Sequence, residues 1–218
     1  MQTEFINIAA HELRTPILPI LMNIEMLEQD FGSDNEEIKM IARNAKRLQR
    51  LTENILNVAR IESGSLKLNK EYFDINDVVS NVIKEEASGL ESEHIALVHD
   101  AKTPDTRVYA DKDRIIQVIY NLISNAVKFT KNGTITITSE TVGNELVVDV
   151  KDTGSGIDSG ILPLLFLKFA TKSNKGTGLG LYISKNIVEA HGGKMWAQNN
   201  IGESGATFEF SLPLEQPA

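Results

Sequence analysis

Two runs of apolar side chains at alternating spacings of four and three limit what the first sixty residues can fold into. Ile6, Ala10, Leu13, Ile17, Ile20, Ile24 and Leu27 make the first run. Ile38, Ile41, Ala45, Leu48, Thr52, Ile55 and Ala59 make the second. On a helix each run falls on one stripe, and such a stripe needs a partner helix along its length. The turn at Phe31-Gly32-Ser33-Asp34 is short, so the two helices are antiparallel neighbours. A lone pair of helices buries little surface. The pattern therefore predicts a homodimer through the hairpin, closing a four-helix bundle.

Ser63-Gly64-Ser65 ends the helical pattern, which predicts one domain over residues 1–63 and a second over 64–218. Beyond the break, Leu66 to Phe73 reads as extended, and Asp74 caps a helix running to about Gly89. Strand-like segments lie near Ile95–Val98 and Arg107–Tyr109, followed by an amphipathic stretch from Asp111 to Thr130. Thr134–Thr141 and Glu145–Asp152 alternate like paired strands about Gly143-Asn144. A helix from Gly178 to His191 stops at Gly192-Gly193, and strands near Lys194–Asn199 and Ala206–Leu212 close the chain. This order predicts an α+β layer, one mixed sheet with helices on one face.

The 218 residues carry a net charge of −8, which argues against broad attraction to nucleic acid or an anionic membrane. There is no cysteine, excluding disulfides and thiolate metal sites and fitting a reducing cytosol. No apolar stretch approaches the length of a membrane span. The expected location is cytoplasmic, as a free protein or as the cytoplasmic part of a longer membrane-bound receptor.

Four clusters carry chemistry. The first is Phe5-Ile6-Asn7-Ile8-Ala9-Ala10-His11-Glu12-Leu13-Arg14-Thr15-Pro16. Ala10 and Leu13 take the core positions, so His11 and Thr15, four apart, share an outward face. At neutral pH roughly three quarters of an unperturbed imidazole is uncharged and able to attack. Glu12 is placed to accept the proton of the other ring nitrogen. A solvated surface histidine is the plain alternative. Pro16 and Pro19 weigh against it, because an interior proline costs about 3 kcal/mol or more and bends a helix.

In the second cluster, Asn121, Asn125 and Lys128 follow spacings of four and three, so they share one helix face. An asparagine oxygen suits one position around Mg²⁺, which keeps waters and binds substrate phosphates, and Lys128 adds positive charge. A polar solvent face is the alternative. The third, Asp152-Thr153-Gly154-Ser155-Gly156, follows a strand; its glycines allow close approach of a ligand, and Asp152 suits the exocyclic amine of adenine. The fourth runs Lys172-Ser173-Asn174-Lys175-Gly176-Thr177-Gly178-Leu179-Gly180-Leu181. A glycine-rich loop entering a helix offers free N–H groups and the positive dipole end to phosphate, with Lys168, Lys172 and Lys175 nearby. Each of these two is also compatible with a structural turn or loop.

In this order the clusters resemble the H, N, glycine and F boxes of sensor histidine kinases, over nearly the whole chain from Phe5 to about Leu214. The resemblance implies a dimerisation and histidine phosphotransfer hairpin followed by a Bergerat-type α/β sandwich that binds ATP. It implies that His11 takes the γ-phosphate, with Glu12 as assisting base, and passes it to an aspartate of a response regulator receiver domain. Thr15 matches the position that orients water when such enzymes dephosphorylate that partner. Asn125 would bind Mg²⁺, Asn121 and Lys128 would support the phosphates, and Asp152 would read adenine beside Gly154 and Gly156. Thr177, Gly178, Leu179 and Gly180 would hold the end of the ATP lid, with Lys172 in it and Phe166 and Phe169 packed against it. The receiver domain would dock near Leu18 and Met22.

Three features depart from the family pattern. Leu167 stands where an acidic residue is common, the lid is short, and the first helix starts close before His11, suggesting a truncated piece of a longer protein. A hydrolytic ATPase of the gyrase type would need a glutamate where Asn121 stands, and an amide has no basicity for activating water. The other alternative is a degenerate kinase that only dimerises and binds partners. His94, His99 and His191 are expected in surface or capping roles.

Overall fold

The structure, a computed structural model, describes residues 15–31, 35–87, 94–103, 106–171 and 177–214. The chain divides into two compact units, residues 1–67 and 68–218.

The first unit is a helical hairpin of α1 (Ile17–Phe31) and α2 (Glu36–Glu62). Asn35 starts α2, its side chain accepting the N–H groups of Glu37 and Ile38, while Glu36 and Glu37 complement the helix dipole. Pro16 lies just before the first residue of α1 and Pro19 in its first turn; the segment preceding Thr15, on which the argument from these prolines turns, lies outside the described residues.

The apolar stripe divides in two. Ile17, Ile24, Ile38, Ala45 and Thr52 are buried, and Ile24, Ile38, Ala42 and Ala45 pack together with Leu21 against them. Ile41, Leu48 and Ile55, spaced by seven, stay 52%, 50% and 55% exposed, so one hairpin satisfies only half of its own pattern. Leu18 and Met22 are also exposed. No helix among the described residues is long and apolar enough to cross a membrane.

The second unit holds β1 (Glu71–Asp74), α3 (Ile75–Ala87), β2 (His94–Ala101), β3 (Arg107–Ala110) and α4 (Lys112–Phe129). It continues through β4 (Asn132–Val142), β5 (Glu145–Asp152), a 3₁₀ turn at Leu162–Leu164, α5 (Gly180–Ala190), β6 (Met195–Asn199) and β7 (Ala206–Pro213). Five strands form a mixed sheet in the order β2-β4-β5-β7-β6, with only β2 and β4 parallel. Strict alternation sends Ile135, Ile137, Leu146, Val148, Val150, Phe208, Phe210 and Leu212 into the core, and α3, α4 and α5 pack on the sheet.

The single sheet expected from sequence is corrected in one respect. Arg107–Tyr109 does not join the main sheet; β3 pairs with β1 in a separate two-stranded ribbon. Both strands have only four residues. The ribbon is fastened by a hydrogen bond from Thr106 Oγ1 to the Asp74 carboxylate and by the rings of Tyr72 and Tyr109, 4.9 Å apart. His99 also departs from the surface or capping role expected of it. It lies within β2, half-buried, its Nδ1 3.3 Å from Ser80 Oγ and its Nε2 3.3 Å from Ser139 Oγ.

On the face of the sheet away from the core, Asp149 stands directly opposite Glu209. Burial, then the charge of Glu140, holds the Asp149 carboxyl above its ordinary range. Burial and Asp149 do the same to Glu209, as expected of like charges facing each other across strands.

Candidate functional site

Helix α4 is the part to which the other parts of the site are fitted. Its apolar stripe of Ile115, Val118, Ile119, Leu122, Ile123 and Ala126 is buried, which leaves Asn121, Asn125 and Lys128 half-buried on its other side. The buried Asp111 carboxylate caps its start, one oxygen accepting from Arg114 N at 3.1 Å and the other from Asn69 N at 2.8 Å.

The N–H of Asp111 itself donates to Nε2 of His191 at 2.9 Å. The other nitrogen, Nδ1, lies 2.8 Å from the carbonyl of Ile187. A carbonyl only accepts, so Nδ1 carries the hydrogen and His191 is neutral. Burial is the main cause that lowers its pKa, assisted by the charge of Lys70 and opposed by the Ile187 bond and Asp111. One imidazole thus joins the end of α5 to the start of α4. The capping role expected of His191 is correct in kind, but the helix start it serves is the one belonging to α4.

Asp152 ends β5 and is 3% exposed. Its Oδ1 accepts from Gly154 N at 2.8 Å and Ala206 N at 3.4 Å, while Oδ2 receives no hydrogen bond from the described residues. Burial raises the pKa of this carboxyl, and the two N–H groups draw it down. The D-x-G-x-G turn abuts the end of α4, where Ser155 N donates to the carbonyl of Phe129 at 3.3 Å. A Cβ on Gly154 would collide with that same carbonyl. The buried hydroxyl of Thr130, at the end of α4, has no hydrogen-bond partner among the described residues.

The start of α5 meets the middle of α4. Asn121 Nδ2 donates to Ser184 Oγ at 3.0 Å, and Asn121 Oδ1 occupies the space where a Cβ of Gly180 would stand. Gly178, at φ +68°, takes a left-handed conformation that glycine tolerates best. Its carbonyl accepts from Phe169 N at 2.9 Å, pinning the ends of the intervening segment together. Phe169 meets Gly178 through its backbone, at φ +63°, with the ring 69% exposed. The Leu179 N–H donates to Thr177 Oγ1 at 3.2 Å. Lys128 Nζ lies 4.8 Å from the centroid of the Phe129 ring, and Lys168 Nζ 5.6 Å from that of Tyr182.

Of the residues singled out from sequence, Asn121, Asp152, Gly154 and Gly180 are thus tied to one another through α4. Thr15 is exposed, two residues before the start of α1. His11, Glu12, Lys172 and Lys175 lie outside the described residues. Three residues were missed. Besides Ser184, Asn199 holds Ile157 by two bonds, accepting from its N–H at 2.6 Å and donating to its carbonyl at 2.8 Å. Asn200 Nδ2 donates to the carbonyl of Asp152 at 2.9 Å. Two adjacent amides just before a Gly-containing turn read as ordinary turn chemistry, and a single helical serine carries no signal.

A metal would find asparagine oxygen here and no cluster of acidic or histidine ligands among the described residues. Asn125 is half-buried, and its amide makes no hydrogen bond to the described residues. That donor set fits Mg²⁺, which takes one or two protein oxygens and completes its shell with waters and phosphates.

A capped helix, an acid at a strand end beside a glycine turn, and a glycine loop entering a second helix form the nucleotide-binding class of fold shared by kinases and ATPases of this type. The chain belongs to the sensor histidine kinases. Residues 110–216 match the profile of the histidine kinase-, DNA gyrase B- and HSP90-like ATPases, and residues 1–64 match that of the His Kinase A (phospho-acceptor) domain. The sensor protein SrrB of Staphylococcus aureus is 35% identical over 98% of this chain and 38% of its own length. The hybrid signal transduction histidine kinase C of Dictyostelium discoideum is 35% identical over 97% of the chain and 19% of its own length. The chain therefore spans well under half of these relatives.

Among solved structures, the Acinetobacter baumannii histidine kinase AdeS is 30% identical at a TM-score of 0.71, over 94% of this chain and 98% of that one. ShkA, solved with AMPPNP, is 25% identical at a TM-score of 0.82, over 100% of this chain and 47% of that one. ThkA, solved with the response regulator TrrA, is 29% identical at a TM-score of 0.65, over 97% of this chain and 61% of that one.

The neutral His191 gives this unit an acid limit. Its pKa is lowered in the folded state, so the unfolded chain binds the extra proton first as pH drops below the ordinary 6.5. Stability is full above that value and declines below it. Half-buried His99, whose pKa burial lowers despite Asp100, adds a decline of the same sign. The raised carboxyls of Asp149, Asp152 and Glu209 act in the opposite sense, so the comparison is between variants: from neutral to mildly acidic pH, His191→Asn should start with a lower melting temperature than the wild type and lose less over the same interval. An unchanged acid slope would remove His191 as its source.

Proposed function

We propose that this chain is an ATP-dependent protein histidine kinase that autophosphorylates His11 and passes the phosphoryl group to an aspartate of a response regulator, which it also dephosphorylates. The convergence of α4, the Asp152 turn and the α5 start on one another carries the reading, because each brings one part of a nucleotide's requirements. The Asp152 carboxylate, with Oδ2 uncommitted, accepts from the adenine amine, and Gly154 and Gly156 let the base come close to the backbone. Gly178 and Gly180 offer helix-start N–H groups to phosphate beside Thr177 and Leu179, whose N–H Thr177 Oγ1 holds, with Lys172 adding positive charge and Phe169 at the opposite end of the pinned segment. Asn121 and Lys128 support the phosphates.

Asn125 would hold Mg²⁺, which supplies charge neutralisation between the phosphates. In the transfer, a ring nitrogen of His11 bonds to the γ-phosphorus as the bond to the β-phosphate oxygen breaks, and ADP leaves. Glu12 accepts the proton of the other ring nitrogen. Thr15 orients the water that attacks the phosphorylated receiver domain. Incubation with γ-labelled ATP and Mg²⁺ should leave an acid-labile, base-stable label on the wild type and none on His11→Gln. Equal labelling of both would end this assignment.

The receiver domain docks near Leu18 and Met22. Both are exposed on α1, and the complex of ThkA with TrrA supports a partner of this kind. Replacing both with glutamate should preserve the label on His11 and block its passage to the regulator; undiminished passage would move the docking site elsewhere.

A homodimer is supported by the exposed row Ile41, Leu48 and Ile55, whose seven-residue spacing matches a second helix pair. Three half-exposed aliphatic side chains in line are what a partner hairpin would cover. Leu48→Glu combined with Ile55→Glu should shift the protein from dimer to monomer in sedimentation. A mutant that still sediments as a dimer would contradict this interface.

A further inference from the structure

An asparagine side chain ends in two groups of nearly equal shape and opposite chemistry, an acceptor oxygen and a donor NH₂. The last torsion of such a chain is soft. At Asn121 the choice is made by α5. Ser184 Oγ receives Nδ2 at 3.0 Å, and the missing side chain of Gly180 leaves room for Oδ1. The amine end therefore turns into the body of α5 and the oxygen end toward its first residue.

Ser184 has little other reason to be serine. It is 1% exposed and lies within a helix, where alanine is intrinsically preferred and a buried hydroxyl is unfavourable unless it is hydrogen-bonded. Asn121 is its side-chain partner among the described residues.

We propose that Ser184 is a positioning residue for the phosphate end of the site, fixing the Asn121 carboxamide through this hydrogen bond with Gly180 providing the space. The inference rests on the reading of Asn121 as a phosphate-supporting residue. Ser184 touches no part of the nucleotide itself. It lowers the freedom that Asn121 must lose on binding, so its effect is confined to ligands that carry phosphate.

Calorimetric titration of the intact chain with Mg-ATP and separately with adenosine tests this. Ser184→Ala should weaken Mg-ATP binding by up to about fivefold, the ceiling set by one neutral hydrogen bond, and leave adenosine binding as in the wild type. In an Asn121→Ala background the same substitution should have no further effect. Ser184→Cys, nearly isosteric with a poorer acceptor, should give a smaller loss of the same kind, and it carries the test if the alanine variant does not fold. Equal losses for adenosine and Mg-ATP, unchanged Mg-ATP affinity, or additive effects with Asn121→Ala would overturn the role of Ser184 alone. A wild type that binds no adenine compound would bring down the nucleotide reading and this proposal with it.

Discussion

The capping of α4 governs the second unit. A helix start leaves several N–H groups without partners, and Asp111 serves the start of α4 with its carboxylate while offering its own N–H to His191. Because His191 closes α5 and Asp111 opens α4, the two helices are registered on each other at one buried point. Ten residues onward along α4 and seven residues back along α5, Asn121 and Ser184 meet. Two fixed contacts define the relation of two rods better than one, and Asn121 and the start of α5 inherit that definition. The Asn69 N–H on the remaining Asp111 oxygen ties the entering chain to the same point.

Much of this architecture was legible because it follows local periodicities. The limits of α4 were evident from Asp111, the apolar spacing and Thr130, and the β4–β5 hairpin from alternation about Gly143-Asn144. The β1–β3 ribbon was not, since four-residue strands carry too little pattern to declare a partner. Ser184, Asn199 and Asn200 were invisible for a related reason. Their contribution comes from hydrogen bonds across 63, 42 and 48 residues of sequence, which no local window contains. Asp152 and the glycines stood out because motif order, rather than any single motif, separated them from ordinary turns.

The hairpin shows where periodicity is correct yet incomplete. Alternating spacings of four and three identified the apolar positions without saying which neighbour each would meet. Inside one hairpin the positions at Ile38, Ala45 and Thr52 are buried, and those at Ile41, Leu48 and Ile55 are not.

The backbone bond from Phe169 to Gly178 has an evolutionary implication. Once the ends of a chain segment are tied, its closure entropy grows only with the logarithm of its length, about 0.6 kcal/mol for each doubling. Insertions and deletions between those two anchors are therefore thermodynamically cheap, provided both anchors persist. A protein built this way can lengthen or shorten the segment between them without redesigning the rest of the domain.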